Sequence, residues 1–360
     1  VGVQQVLKRL RRPHRRAVRR AAVHTWHRAS SPRLARLGRG HRRAAPLRLV
    51  GDIGATNARF GLLAVGEHLP ARVRSFACAD FDGLEAAIRH YLALEGDARP
   101  SDAVLCVANP VHGEQLEMTN RDWSIALPEL RVALGLDCLQ AINDFSALAL
   151  ALPELKAGEL RKIGGGAAQP GSALAVLGPG SGLGVSGLLP CGDHWLPLAG
   201  EGGHITMPAS SAREGEVLAR IRRRHGHASA ERVLSGPGLV NLHDALREID
   251  HLPALERSPA EISTLGITGE CRRCTEALEL FCAMLGTVAA DLVLTLGARG
   301  GVFIGGGIVP QLGEFFAHSS FRARFEDKGR FSAYLASVPS QVIHAPHAAL
   351  TAEQLAGAVG

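Results

Sequence analysis

Two short apolar-rich runs open the patterned part of the chain: LRLVGDI, Leu47 to Ile53, and RFGLLAV, Arg59 to Val65. The small and polar residues Gly54, Ala55, Thr56 and Asn57 lie between them, which predicts two strands joined by a tight hairpin. Phe81 to Leu94 places Leu84, Ile88 and Leu92 on one face and predicts an amphipathic helix. Ala103 to Val107 and Leu139 to Ile142 read as buried strands, and Phe145 to Leu152 reads as a helix. Ala173 to Leu177 and Gly184 to Leu189 predict a second strand pair around a glycine turn. Thr268 to Leu296 is a long helical pattern ended by Gly297, and Val302 to Ile304 is a short strand running into Gly305, Gly306 and Gly307. Strands and helices thus alternate, as in an α/β fold. The theme of strand, glycine-bearing turn and strand occurs twice, which predicts two related α/β lobes closing on a nucleotide.

Composition changes this picture in one place. The 360-residue chain is 46% hydrophobic, enough for a sizeable core and two lobes. Its net charge of +6 is unevenly spread. Residues 1–46 hold Lys8, thirteen Arg and no acid, a charge of +14, while the remainder carries −8. A nucleic-acid reading would rest on this Arg-rich leader alone. The leader suits a nucleic-acid or lipid-binding arm, a transit peptide, or a flexible and dispensable extension. Its apolar runs are interrupted throughout, so the last is expected. No apolar run approaches the roughly 20 residues of a membrane span, so no membrane is expected. Seven scattered cysteines without a disulfide framework place the chain in a reducing cytoplasm.

Several short stretches carry candidate chemistry. In the first hairpin, Gly54 lets a phosphate approach the backbone, Thr56 and Asn57 donate hydrogen bonds, and Asp52 suits a hydrated cation. GPGSGLG, Gly178 to Gly184, is neither a Walker loop nor a dinucleotide fingerprint. Its glycines leave N–H groups open, with the Ser181 hydroxyl as a further donor. In INDFSAL, Asp144 stands where a strand ends and a helix begins, as a site acid or as the helix N-cap. Asn143 beside it both donates and accepts, which suits a polyol. Glu201 and His204 flank two glycines, leaving a ligand room to reach the backbone. Glu231 in SAER is either another hydroxyl acceptor or the first turn of a helix. Cys271 and Cys274 form a lone CxxC at a helix head, without the second pair that a zinc site needs.

Taken in order, GDIGATNARF, MTNRDW, INDF, GPGSGLGV, GEGGH, SAERVLSGPGLVNL, GGVFIGGGIVP and FRARFEDKGRF resemble the bacterial glucokinases, ATP:hexose phosphotransferases of the sugar kinase and actin-like ATPase superfamily. The resemblance runs from about Leu47 to Ile343. It implies an α/β, two-lobed actin-like (ribonuclease H-like) fold with the active site in the interlobe cleft. The small lobe would be residues 47–154 joined by 345–360, and the large lobe 155–344. It implies Asp144 as general base, with Asn143, Glu201, His204 and Glu231 around the glucose hydroxyls. Asp52, Gly54, Ala55, Thr56 and Asn57 would face the phosphates of ATP, with Asp52 holding Mg²⁺ through water. Gly180, Ser181 and Gly182 would form the second phosphate turn, and Gly305, Gly306 and Gly307 would border the adenosine. A homodimer is implied, and so is the first step of glycolysis.

Three features depart from the family pattern. Ser181 stands where Thr is common, the leader has no counterpart, and the tail after Ile343 matches poorly. The Cys-rich zinc motif of the related repressor-and-kinase group is absent. Competing readings are a kinase for another hexose on the same scaffold, and a sugar-sensing regulator that binds DNA through the leader.

Overall fold

The computed structural model describes residues 47–345 apart from 55, 65–66, 68–69, 97, 109–112, 118–122 and 193. The leader, Ala55, most of MTNRDW and the last residues of the tail lie outside the described residues.

The first sheet has the order β3-β2-β1-β4-β7. It is built from β1 (Leu47–Ile53), β2 (Asn57–Ala64), β3 (Ala71–Ala77), β4 (Asp102–Val107) and β7 (Cys138–Asn143), while β5 (Gln115–Glu117) and β6 (Ser124–Ala126) pair separately. β1, β2 and β3 form an antiparallel meander, and β4 and β7 add in parallel to β1. Helices α1 (Leu84–Leu94) and α2 (Leu127–Leu134) belong to this part. Leu84, Ala87, Ile88 and Tyr91 of α1 are buried against Leu49, Phe60 and Leu105.

The second sheet has the order β11-β10-β9-β12-β13-β8. Its strands are β8 (Leu160–Gly164), β9 (Leu174–Pro179), β10 (Leu183–Cys191), β11 (His194–Leu198), β12 (Gly301–Ile304) and β13 (Ser340–Ile343). β9, β10 and β11 repeat the antiparallel meander, and β12 and β13 repeat the two parallel additions. The two sheets thus share one strand order and one set of directions, apart from the extra antiparallel edge strand β8.

Helix α3 (Asp144–Ala151) follows β7 and sits between the sheets. Every residue from Ser146 to Ala151 is buried, packed with Val104 and Cys106 of the first sheet and Val176, Leu188 and Phe303 of the second. A helix apolar all round is stable only when enclosed in this way. Each fully buried leucine contributes about 1.5–3 kcal/mol.

The second sheet carries α4 (Ala212–His225), α5 (Gly236–Ile249), α6 (Pro259–Ile267), α7 (Arg272–Leu296), α8 (Ile308–His318), α9 (Phe321–Glu326) and α10 (Ser332–Ser337). The helix expected over Thr268–Leu296 begins later, because α6 ends at Ile267 with Thr268 as its C-cap and Gly269 adopts φ +74°. The expectation that no run approaches membrane length is also corrected. α7 is long and apolar enough to span a membrane by length and composition, with mean hydropathy 1.9. Its most apolar window is 72% buried inside the protein, packed among α5, α6, α9 and β9, so here it is a core helix. Arg322 of FRARFEDKGRF donates to the carbonyls of Leu335 and Val338 and to Ser340 Oγ, each at 3.0 Å, tying α9 to β13.

Candidate active site

Asp52 and Arg59 face each other across β1 and β2, and Arg59 Nη1 donates to Asp52 Oδ2 at 3.3 Å. The hairpin closes through Gly54 N donating to the Asn57 carbonyl at 2.9 Å. Cys78 N donates to the Thr56 carbonyl at 2.8 Å, which anchors the tip from behind. The side chains of Thr56 and Asn57 stay exposed, with Asn57 Nδ2 donating to Thr56 Oγ1 at 3.2 Å.

At the head of α3 the N-cap is Asn143, not Asp144. Asn143 Oδ1 accepts from Phe145 N at 3.0 Å and from Ser146 N at 3.1 Å. Capping is therefore supplied one residue earlier, and Asp144 enters the first turn with its Oδ1 accepting from Phe145 N at 2.8 Å. Burial raises the Asp144 carboxyl from 3.8 to about 6. The Phe145 N–H opposes this, while the carboxylates of Asp52 and Glu201 push it further up. The electrostatics thus bring three acids from distant stretches into one region.

Phe145 joins this region to the second glycine turn. Its ring lies so close to β10 that a Cβ on Gly184 would sit 1.8 Å from it. Gly180 N donates to the Gly182 carbonyl at 2.8 Å, closing the turn. Gly236 N, at the start of α5, donates to the Gly180 carbonyl at 2.8 Å. Gly306 lies against the same turn at φ +76°, where a Cβ would come within 2.3 Å of the Pro179 carbonyl. Gly305 N donates to the Leu177 carbonyl at 2.9 Å, and Gly307 is the N-cap of α8.

Glu201 and His204 flank a short 3₁₀ turn, both exposed, with His204 Nε2 4.0 Å from Glu201 Oε2. Glu231 lies in a turn before α5 rather than in a helix. Its backbone N donates to the Gly203 carbonyl at 2.8 Å, and its Oε2 accepts from Leu183 N at 3.0 Å. Glu231 therefore braces the second glycine turn, a role that its sequence context did not signal. Arg59, Phe145 and Gly236 were also missed. Their signals were present as the Arg of GDIGATNARF, the Phe of INDF and the glycine after Ser235.

The family model for Glucokinase matches residues 49–358. The match continues past Ile343, correcting the poor fit read in the tail, where no distinctive motif marks the sequence. The glucokinase of Aromatoleum aromaticum is 54% identical over 304 residues, covering 84% of this chain and 92% of that protein. The glucokinase of Chromobacterium violaceum is 49% identical over 306 residues, covering 84% and 87%. A crystal structure of glucokinase from an Antarctic psychrotroph matches with TM-score 0.80 at 36% identity, covering 88% of this chain and 100% of that one.

Proposed function

The chain belongs to the glucokinase family, and from that premise we propose that Asp144 takes the proton of the glucose 6-hydroxyl as that oxygen attacks the γ-phosphorus of ATP. The enzyme phosphorylates glucose at the expense of ATP. The observation that carries the assignment of the base is the raised carboxyl of Asp144, at about 6, beside Glu201 and Asp52 at the head of an enclosed helix. A base poised near neutral pH accepts a proton in the transition state while remaining ionised in the resting enzyme.

Phosphoryl transfer depends on positioning and charge stabilisation. The Gly54 and Gly180 N–H groups close the two turns, which would present the hydroxyls of Thr56 and Ser181 to the polyphosphate. Gly305, Gly306 and Gly307 would leave room for the adenosine. Asn143 would donate through its amide nitrogen, since Oδ1 serves the cap. Glu201, His204 and the second oxygen of Glu231 would complete the contacts to the sugar. The residues present fit a hydrated Mg²⁺: Asp52 offers one carboxylate, 33% exposed and oriented by Arg59. No cluster of three metal-ligating residues occurs among the described residues. Bound there, Mg²⁺ would neutralise charge on the phosphate oxygens.

The repeated strand order of the two sheets supports the two-lobed actin-like arrangement, with residues 47–154 in the small lobe and 155–344 in the large. Homodimeric assembly in the cytoplasm completes the reading. Cys138, Cys191, Cys271, Cys274 and Cys282 are free thiols, which suits that compartment.

The test is Asp144→Asn, assayed with glucose and ATP. Loss of the base lowers kcat roughly 10²–10⁴-fold, with a much smaller change in glucose KM, because the amide still bonds the 6-hydroxyl. A variant that keeps most of its kcat would remove Asp144 from the role of base.

A further inference from the structure

Away from the sugar and nucleotide residues, the junction of α6 and α7 gathers groups that glucose phosphorylation does not use. Cys271 is the N-cap of the 25-residue helix α7 and is half-buried, while Cys274, three residues on, is fully buried. Residues so placed at a helix start have Cα atoms on the order of 5 Å apart, inside the range that a disulfide bridges. Arg257 reaches both sulfurs electrostatically, and its Nε is shut off from solvent with no hydrogen-bond partner among the described residues. No third His, Cys, Asp or Glu joins the pair in a metal-binding group among the described residues, so thiol chemistry rather than a metal fits the site.

We propose that Cys271 and Cys274 form a redox-active dithiol, in which Cys271 attacks a small-molecule disulfide and Cys274 closes the mixed disulfide into an intramolecular bond. The Cys271 thiolate attacks one sulfur of the disulfide R–S–S–R, and one RS⁻ leaves. Cys274 then attacks the Cys271 sulfur as its proton passes to the departing sulfur, expelling the second RSH, while the first RS⁻ takes up the proton that Cys271 had lost to solvent. The protein dithiol is oxidised by two electrons and the small disulfide is reduced to two thiols.

The two sulfurs have opposite characters suited to these steps. Partial burial pushes the Cys271 thiol up, but the Cys274 thiol, the N–H groups of Cys274 and Arg273, and Arg257 together bring it below the ordinary cysteine value. Burial pushes the Cys274 thiol up to about 12, reinforced by its bond to Cys271. One sulfur is thus a half-buried nucleophile, and the other is held in reserve until the mixed disulfide forms beside it.

The probe is oxidised glutathione acting on the full-length enzyme with the exposed Cys138 and Cys191 changed to Ser, read by intact mass and peptide mapping. The background enzyme should lose two hydrogens, carry a Cys271–Cys274 disulfide and retain no glutathione. Adding Cys274→Ser should leave one glutathione trapped on Cys271, and adding Cys271→Ser should abolish both products. In the unsubstituted enzyme at neutral pH, iodoacetamide should alkylate the half-buried Cys271 faster than the fully buried Cys274, whose thiol is pushed up by burial. Retained glucose phosphorylation in Cys271→Ser verifies its fold. A glutathione that persists on Cys271 while Cys274 is present, no disulfide at all, or equal alkylation rates would each overturn the proposal.

Discussion

Asp144 combines a cost to folding with a gain in reactivity. Its carboxyl is raised from 3.8 to about 6, so between these values the folded chain keeps a proton that the unfolded chain has released. Its contribution to stability is therefore fully present below 3.8 and is lost as pH rises through about 6. Above that point the ionised carboxylate destabilises the fold by up to roughly 3 kcal/mol, at 1.36 kcal/mol for each pKa unit. Asp144→Asn, which keeps the oxygen that accepts from Phe145 N, should then raise the melting temperature at neutral pH while lowering kcat. Thermal unfolding of both proteins across this pH range measures the difference, which should shrink towards acid. The same carboxyl sets the pH profile of the wild type: kcat/KM should rise with pH through about 6 and level off above it. At this scale the sequence carried the acid but not its setting. From the sequence only Asp144 reads as a cap, and the folded backbone gives the amides to Asn143 instead.

At the scale of elements, the candidate site is held together by contacts that join one turn to another. Phe145 fixes the head of α3 against β10, and a Cβ on Gly184 would collide with its ring at 1.8 Å. Gly184→Ala should therefore displace Phe145, raise KM for ATP and lower kcat together, with overpacking costing about 1–3 kcal/mol in denaturant unfolding. Glu231 gives a second contrast. Glu201→Gln should raise glucose KM with little change in ATP KM, because Glu201 is exposed and braces no turn. Glu231→Ala should raise both, because it also strips the acceptor from Leu183 N at the second glycine turn. Steady-state kinetics with each substrate varied separates the two patterns. The strands and glycine turns were legible because period-two runs and glycine clusters are local signals. The bracing was not, since Phe145 on Gly184 and Glu231 on Leu183 join positions that only the folded chain makes neighbours. The boundary between α6 and α7 was blurred for a different reason: apolar periodicity ran on through Thr268, and the left-handed Gly269 overrode it.

For the whole molecule, removing residues 1–46 should leave kcat and glucose KM unchanged, since the first core strand begins at Leu47 and the family match at residue 49. A truncated enzyme with a large loss of kcat would assign the leader a part in the fold or the reaction. The duplicated hairpin was legible in advance because each copy carries its own glycine-bearing turn, whereas the strand order around it was not. The extra strand β8 was not, because its half-buried residues carry little periodicity. The enclosed helix α7 bears on how the protein is made. It leaves the ribosome before β12, α9 and β13, the later elements of its own layer, and α9 lies so close that a Cβ on Gly286 would meet the Phe321 carbonyl at 2.4 Å. A nascent chain halted at Leu296 therefore displays a helix as apolar as a membrane span with part of its cover unsynthesised. Such stalled chains should bind hydrophobic chaperones and lipid vesicles in a flotation assay, and the completed chain should not. The residues after Leu296 complete the cover of α7, with α9 and β9 packed against it in the finished fold.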